Sequence, residues 1–164
     1  MTVILDSGDR REFDTGAVRD MAEGKGRCDL MPLDVLAECY IQNFPRSKSG
    51  RVIEELNLFT QTSDTRYLYN ALANFLDDSD FASWSDMFLA VSKHFEDGAK
   101  KYGENNWQKG LPVSCYIDSA VRHYLKHLRG DDDEPHDKAF VWNVVCCAWT
   151  CKHKPEMNNY ATQA

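Results

Sequence analysis

Apolar side chains return every three or four residues along most of this chain, which is the spacing of one face of an α-helix. The clearest run spans 113–128 and stops at Gly130, a residue suited to the left-handed turn that ends many helices. A second run, 136–150, is apolar on nearly all sides, which predicts a helix at the centre of the fold. The same period recurs in shorter runs at 32–40, 50–59 and 67–76, and in a longer one from about 83 to 101.

The rest of the chain carries turn signals rather than strand signals. Residues 1–28 are broken by Gly16, Gly24 and Gly26 and are predicted to be irregular, and the residues after Lys154 are predicted to fray. No segment alternates apolar and polar residues as a half-buried strand does. We therefore predict an all-α fold, a single domain over 1–164 built as a helical bundle of about five helices with a four-helix core.

The length and net charge of the chain argue against some classes of partner. The chain has 164 residues, enough for one domain with its own core, and a formal net charge of −7. A surface of that sign repels nucleic-acid backbones, so we expect no nucleic-acid polymer as a partner. No apolar run is as long as a membrane span and the first residues do not resemble a signal peptide. We therefore expect no membrane partner and a cytoplasmic location.

The cysteines allow two interpretations. Six are present and no two have the C-x-x-C spacing. We expect reduced thiols that pack as small core residues. The alternative is a zinc site formed by Cys147, Cys151 and His153, although their spacing is unlike that of standard zinc motifs.

Four consecutive acids at 131–134 are the strongest metal candidate. Adjacent carboxylates repel one another unless a cation or a helix N-terminus compensates for their charge. Oxygen ligands of this kind suit Mg²⁺ or Mn²⁺, whereas Asp133 or Glu134 could instead cap the helix that follows Pro135. His136 lies at the same helix end, where it could move a proton, contact a phosphate or serve as a cap.

Charged residues on the flanking helices share faces at helical spacing. Asp118 and Arg122 are one turn apart, and Arg122 could grip a phosphate with its forked guanidinium while His123 lies beside it. Glu96 and Lys101 belong to ion pairs at i,i+4 with Lys100 and Asp97. The alternative for both faces is a solvated surface without a binding role.

Three smaller features could contact a nucleotide. Arg19, Lys25 and Arg27 lie among flexible glycines, which suits a phosphate contact or a solvated arm. In the turn at 103–110, Asn106 and Trp107 could hydrogen-bond and stack on a nucleobase, or the indole could plug the core. Asn143 is the one amide within an apolar helix and must find a partner in the bundle or on a ligand.

Four segments carry a resemblance to a known family. These are TGAVRDMAEGKGRCDLMP, FEDGAKKYGENNWQKG, DSAVRHYLKHLRG with the acids after it, and HDKAFVWN. They resemble the dATP/dGTP diphosphohydrolase N-terminal domain family of phages and bacteria, which is similar to the MazG-like all-α nucleoside-triphosphate pyrophosphohydrolases. The resemblance covers 13–40 and 91–150, so residues at about 41–90 are interpreted as a helical insertion that could form a dimer contact or a lid. The superfamily's usual E-x-x-E pair is not intact near Glu96.

The resemblance implies a function and a role for each matching residue. It implies Mg²⁺-dependent (or Mn²⁺-dependent) hydrolysis of purine deoxynucleoside triphosphates to monophosphate and pyrophosphate, by a homodimer or higher homo-oligomer in a bacterial or phage-infected cell. Binding of a purine nucleotide without cleavage, as in sequestration of a defence signal, is the alternative, and a structural interaction module is a third. The implied metal ligands are Glu96, Asp131 and Glu134, with Asp118 and His123 as further catalytic candidates. The implied substrate contacts are Arg19, Lys25, Arg27, Lys101, Tyr102, Asn106, Trp107, Arg122, His136 and Asn143.

Overall fold

The computed structural model describes residues 9–21 and 25–161 and is predominantly helical. The described part contains six α-helices: α1 Leu33–Asn43, α2 Ser49–Thr62, α3 Arg66–Asp78, α4 Trp84–Tyr102, α5 Val113–Arg129 and α6 His136–His153. Two strands, β1 Arg10–Glu12 and β2 Val18–Asp20, pair antiparallel with Arg11 opposite Arg19. The predicted all-α class is confirmed, with six helices in the described residues rather than about five.

Helices α5 and α6 pack side by side at the centre of the molecule. Tyr116 and Tyr124 of α5 and Phe140 of α6 are at most 1% exposed. Phe75 of α3 joins this cluster, with its ring centroid 4.8 Å from that of Phe140. Burying aromatic rings of this size contributes much of the hydrophobic stabilisation of a core, so the prediction that the last long helix is central is confirmed.

Local signals in the sequence set the ends of the long helices. The Ser83 hydroxyl accepts a hydrogen bond from the Asp86 amide at 3.1 Å and so caps the start of α4. Gly130 adopts φ 83° directly after α5, a left-handed conformation that glycine takes without steric cost. Residues 131–135 then connect α5 to α6, and the two helices pack against each other.

The prediction that the N-terminal part is irregular is wrong for 10–20, which form a β-hairpin. The Phe13 amide donates to the Ala17 carbonyl at 2.9 Å, and Gly16 has φ 77° in the turn between the strands. The strands are three residues each, too short to show the alternation on which strand prediction depends. Ala17 is fully buried, so the hairpin is packed against the bundle.

The prediction of a frayed C-terminal tail is also wrong for the described residues. A 3₁₀ turn follows α6 at Pro155–Met157. The Asn159 side chain then accepts from the Ser114 amide at 3.0 Å and donates to the Ser114 hydroxyl at 2.8 Å. Tyr160 packs edge-on against Phe59, with ring centroids 6.2 Å apart. Specific contacts of single side chains hold this tail, and such contacts leave no periodic signal in a sequence.

Helices α2 and α3, within the predicted insertion, take part in the same core as α5 and α6. Leu56 and Phe59 of α2 and Leu68 of α3 are fully buried. Their apolar faces are therefore needed to complete the bundle. Whether this region also forms a dimer contact or a lid stays a prediction.

All six cysteines are free thiols, and Cys146 and Cys147 are fully buried, as the core interpretation predicts. Among the described residues, Cys147, Cys151 and His153 do not gather into a group that could hold a metal ion. In the same residues, no helix combines the length and the apolar character that crossing a membrane would require.

Candidate functional site

A cavity of about 1550 Å³ lies between the N-terminal hairpin, the end of α4 and the facing sides of α5 and α6. All but three of the predicted site residues contribute to its lining. The exceptions are Lys101, Asp131 and His136. Residues far apart in the sequence thus meet around one space large enough for a nucleotide.

Two side chains fasten the hairpin to the end of α4. Asn106 accepts from the Val18 amide at 3.0 Å and donates to the Val18 carbonyl at 2.9 Å, as a neighbouring strand would. Asp20 accepts from the Lys101 ammonium at 2.9 Å and from the Tyr102 hydroxyl at 2.7 Å.

The surroundings of this contact shift the pKa values of Lys101 and Tyr102. Burial disfavours the charged ammonium, but the hydrogen bonds and charge interactions with Asp20 and Tyr102 together outweigh it and raise the pKa of Lys101. Burial and the Asp20 hydrogen bond both raise the pKa of Tyr102. Because the Lys101 side chain is only 8% exposed and paired with Asp20, its predicted phosphate contact is replaced by a structural ion pair.

Arg19 and Asn143 join the hairpin to the middle of α6. The Arg19 guanidinium donates to the Asn143 side-chain oxygen at 2.6 Å and to the Cys115 carbonyl at 3.3 Å. Asn143 in turn donates to the Ala139 carbonyl at 2.8 Å. The amide predicted to need partners inside the bundle therefore has two.

Trp142 forms the apolar wall beside Arg19, whose guanidinium carbon lies 5.9 Å from the indole ring centre. The indole N–H is buried without a hydrogen-bond partner among the described residues. A buried donor with no acceptor costs free energy that a ligand acceptor could recover. Trp142 was missed in the sequence, although it stands next to Asn143 in the HDKAFVWN segment.

Arg122 clamps the chain after the hairpin onto α5. Its guanidinium donates to the carbonyls of Lys25 and Gly26, both at 3.1 Å, and to the Asp118 carboxylate. Asp118 also accepts from the Cys28 amide at 2.6 Å. The forked donor geometry predicted for phosphate is thus directed at backbone carbonyls and at Asp118, because the 25–28 segment lies directly over this helix face.

Arg27 is more than half exposed and forms a two-bond ion pair with Asp29, at 2.7 and 2.5 Å. Burial alone would raise the pKa of Asp29, but the hydrogen bonds and charge of Arg27 outweigh it and lower that pKa. Lys25 is exposed at the same rim. Both cations line the cavity and are open to solvent, so they are placed to meet an anionic ligand.

The three acids predicted to bind Mg²⁺ do not converge in this chain. Glu96 is 64% exposed at the edge of the cavity and is paired with Lys100 at 2.6 Å. Asp131 follows the turn at the end of α5 and pairs with Arg129. Among the described residues, Glu134 shares no metal-binding group with either acid. The hydrogen bond to each cation lowers the pKa of both carboxyls.

Two histidines meet where α5 ends and α6 begins. His123 Nδ1 lies 2.9 Å from His136 Nδ1, and His136 Nε2 lies 2.7 Å from an Asp133 carboxylate oxygen. A Glu134 oxygen lies 4.0 and 3.9 Å from the same two Nδ1 atoms. Asp133 and Glu134 therefore face histidines, and α6 has no side-chain cap. Burial, with the neighbouring His136, lowers the pKa of His123 to about 3.

Trp107 belongs to the core beside the turn. Its ring centroid is 5.5 Å from that of Phe95 and 4.9 Å from that of Trp149, both in edge-to-face geometry. The Tyr116 hydroxyl donates to the Trp107 carbonyl at 3.3 Å. These contacts agree with the alternative that the Trp107 indole packs in the core, although part of the residue still lines the cavity.

His94 is a second lining residue that the sequence did not indicate. It lies one residue before the FEDGAKKYGENNWQKG segment and packs near Trp142, with ring centroids 5.9 Å apart. Burial lowers the pKa of His94 to about 4. A lone histidine on a long amphipathic helix carries no periodic signal that would distinguish it from a surface residue.

Comparison with known proteins gives one match. The profile of the family described as dATP/dGTP diphosphohydrolase, N-terminal, matches residues 65–160, which is more than half of the chain. No curated protein and no solved structure matches this chain. The matched range includes α3 to α6 and thus part of the predicted insertion, and it begins after the N-terminal hairpin. The chain belongs to the dATP/dGTP diphosphohydrolase N-terminal domain family.

Proposed function

We propose that the cavity binds a purine deoxynucleoside triphosphate and that the protein hydrolyses it between the α- and β-phosphates, releasing a monophosphate and pyrophosphate. The observation that carries this proposal is that separate family segments contribute side chains to one cavity of nucleotide size. The family supplies the reaction class, and the cavity supplies a place for it.

The lining supports a nucleotide with its phosphates towards the rim. Lys25 and Arg27 are exposed there and offer positive charge to a polyanion. The inner wall offers the Trp142 indole, whose N–H has no partner in the described part of the chain and whose ring can stack on a base. An apolar inner wall and a cationic rim together fit a base and a phosphate tail, respectively.

The Mg²⁺ or Mn²⁺ ion that the resemblance implies does not fit the predicted ligand set. Hard cations of this kind need several oxygens around one point. Glu96 and Asp131 are each paired with a cation of their own helix or turn, and Glu134 faces histidines instead. We therefore assign no reaction step to a magnesium ion held by these three acids.

The proposal is tested by incubating the full chain with each of the four deoxynucleoside triphosphates, with Mg²⁺ or Mn²⁺ in separate reactions. We expect the purine substrates to give monophosphate and pyrophosphate, resolved by anion-exchange chromatography. Trp142→Leu should weaken substrate binding, while Tyr69→Leu, an exposed aromatic position on α3 that does not line the cavity, serves as the control. Absence of both products from every purine substrate, beside an active reference hydrolase, would refute cleavage.

Binding without cleavage is the second candidate, and one observation favours it. The carboxylates expected to hold the catalytic metal are dispersed, while the groups that could hold a nucleotide remain together in the cavity. Equilibrium dialysis followed by denaturation separates the two functions. Nucleotide recovered intact in stoichiometric amount indicates sequestration, whereas recovery as monophosphate indicates hydrolysis.

We also propose that the protein forms a homodimer through the outer face of α4. Trp84 and Phe88 are each 43% exposed and stack on each other with ring centroids 5.9 Å apart, which gives an exposed apolar pair one helical turn apart. Light scattering coupled to size-exclusion chromatography should show a dimer that Phe88→Lys dissociates, while Lys93→Glu, an exposed position on another face of the same helix, does not. A monomeric parent chain would refute this proposal.

A further inference from the structure

Three potential ligand atoms converge where α5 ends and α6 begins. They are Nδ1 of His123, Nδ1 of His136 and a carboxylate oxygen of Glu134, separated by 2.9, 3.9 and 4.0 Å. We infer that these three side chains bind a divalent transition-metal cation of the zinc class at the inner wall of the cavity. The inference does not depend on the proposed hydrolysis.

The protonation of His136 is fixed by its other nitrogen. Nε2 lies 2.7 Å from Asp133, whose carboxylate can only accept, so Nε2 carries the hydrogen. In the neutral ring Nδ1 then keeps a lone pair directed at Nδ1 of His123. Two nitrogens 2.9 Å apart cannot both carry hydrogens that point at each other. Either one proton or one cation lies between them.

The surroundings favour the cation. Metal-binding histidines commonly donate their second N–H to a carboxylate, which fixes the tautomer and the ring orientation, and Asp133 has this relation to His136. The His136 residue is 2% exposed, so packing holds the ring in place. When the cation binds through Nδ1 of His123, the hydrogen of that ring lies on Nε2, as it does in His136.

The donor set selects the class of metal. Two imidazole nitrogens and one carboxylate suit zinc and neighbouring transition metals, whereas Mg²⁺ prefers oxygen alone. Ligands about 2.1 Å from such a cation lie about 3.0 to 3.4 Å apart. The two nitrogens are already near that separation, and Glu134 reaches it by a side-chain rotation. His123 and Glu134 line the cavity, so the open coordination position faces it.

A second group of side chains could compete for a cation. Asp131, Asp133 and His136 also lie within reach of one another, on the opposite side of the same imidazole. We expect that group to have the lower affinity for a cation, because Asp131 is paired with Arg129 and Asp133 with Lys126. A cation there would have to displace those ion pairs and the hydrogen from Nε2 of His136.

The test uses the full chain, freed of metal with a chelator and titrated with Co²⁺ alone. We expect visible d–d absorption that saturates at one equivalent, disappears on adding Zn²⁺ and persists in excess Mg²⁺. Glu134→Gln and His123→Gln should each weaken Co²⁺ binding at least about tenfold, and Asp133→Asn by about tenfold or more. The matched control Asp132→Asn, an exposed neighbour in the same acidic run, should not change it.

Four results would overturn the inference. One is absence of d–d absorption in folded protein, as judged by circular dichroism. Another is unchanged affinity in both Glu134→Gln and His123→Gln. Weaker binding in Asp131→Asn but not in Glu134→Gln would place the cation in the competing group. Intense sulfur-to-cobalt charge transfer would place it on cysteines. Because nucleotide is absent throughout, failure of the proposed hydrolysis leaves these readings unaffected.

Discussion

Replacing Asp118 with Asn tests whether the N-terminal segment is held by a buried charge. The Asp118 carboxylate accepts from the Cys28 amide at 2.6 Å and from the Arg122 guanidinium. An Asn keeps one acceptor oxygen but turns an NH₂ donor towards the other partner. If the oxygen stays with Cys28, the guanidinium faces a donor and loses its only anionic side-chain partner among the described contacts.

The expected cost follows from burial. The Arg122 and Asp118 side chains are only 15% and 9% exposed, so solvent compensates little for the lost charge. Breaking a buried ion pair by removing one partner costs about 3–5 kcal/mol, and the two carbonyls that still accept from Arg122 place this case near 3. With a urea dependence of about 2 kcal/mol per molar, the unfolding midpoint should fall by about 1.5 M.

Glu96→Gln is the matched control, because it makes the same chemical change at the same i,i+4 spacing to a cation. The Glu96–Lys100 pair is 64% and 66% exposed, so its loss should not shift the midpoint measurably. Urea unfolding followed by tryptophan fluorescence at pH 7.5 measures both variants. Equal midpoints for the two variants, or a shift below about 0.3 M for Asp118→Asn, would refute the reasoning from burial.

Three further variants test the fold and its pH dependence. Gly50→Ala places a methyl group 2.5 Å from Ile41 Cγ1 and should lower the free energy of unfolding by about 1–3 kcal/mol. Gly98→Ala on α4 has no neighbour within 4 Å and should raise it by about 0.5–1 kcal/mol, and equal effects of the two variants in urea unfolding would contradict this. Asn106→Ala removes both hydrogen bonds to Val18 and should cost about 1–3 kcal/mol and speed proteolysis of the hairpin; unchanged cleavage would contradict it. Because burial lowers the pKa of His94 from 6.5 to about 4, stability is full above pH 6.5 and falls as the pH drops towards 4. Between pH 7.5 and 5 the parent chain should therefore lose about 2 kcal/mol more than His94→Gln, with the exposed His153→Gln as control, and an equal loss would contradict it.

Periodicity was sufficient to predict the helices, because apolar spacing reports which face of an element is buried. The run 113–128 and its end at Gly130 correspond closely to α5, Val113–Arg129. The β-hairpin and the docked tail have no such period. They depend on single contacts such as the Asn106 amide paired with Val18 and Asn159 paired with Ser114, which require knowing where a distant helix lies.

The sequence predicted which residues gather around one cavity better than it predicted what their side chains contact. The resemblance indicated which segments to combine, and most of the predicted residues do line one cavity. Spacing along a helix could not decide whether a charged side chain faces a ligand or a neighbour. Arg122 illustrates this, since a guanidinium exposed on an isolated helix becomes a clamp once the 25–28 segment lies over it.

The acidic run shows why charge density alone is a weak indicator of a metal site. Of its four members, Asp131 pairs with Arg129, Asp133 with His136 and Lys126, and Glu134 turns towards two histidines. Most of the repulsion that made the run notable is therefore relieved by protein cations and imidazole donors, without any metal. What remains is the pair of opposed imidazole nitrogens that this run supports, and no count of acids would have revealed it. A search for metal sites of the proposed kind in related sequences should therefore begin from two histidines on consecutive helices that are joined by an acidic turn.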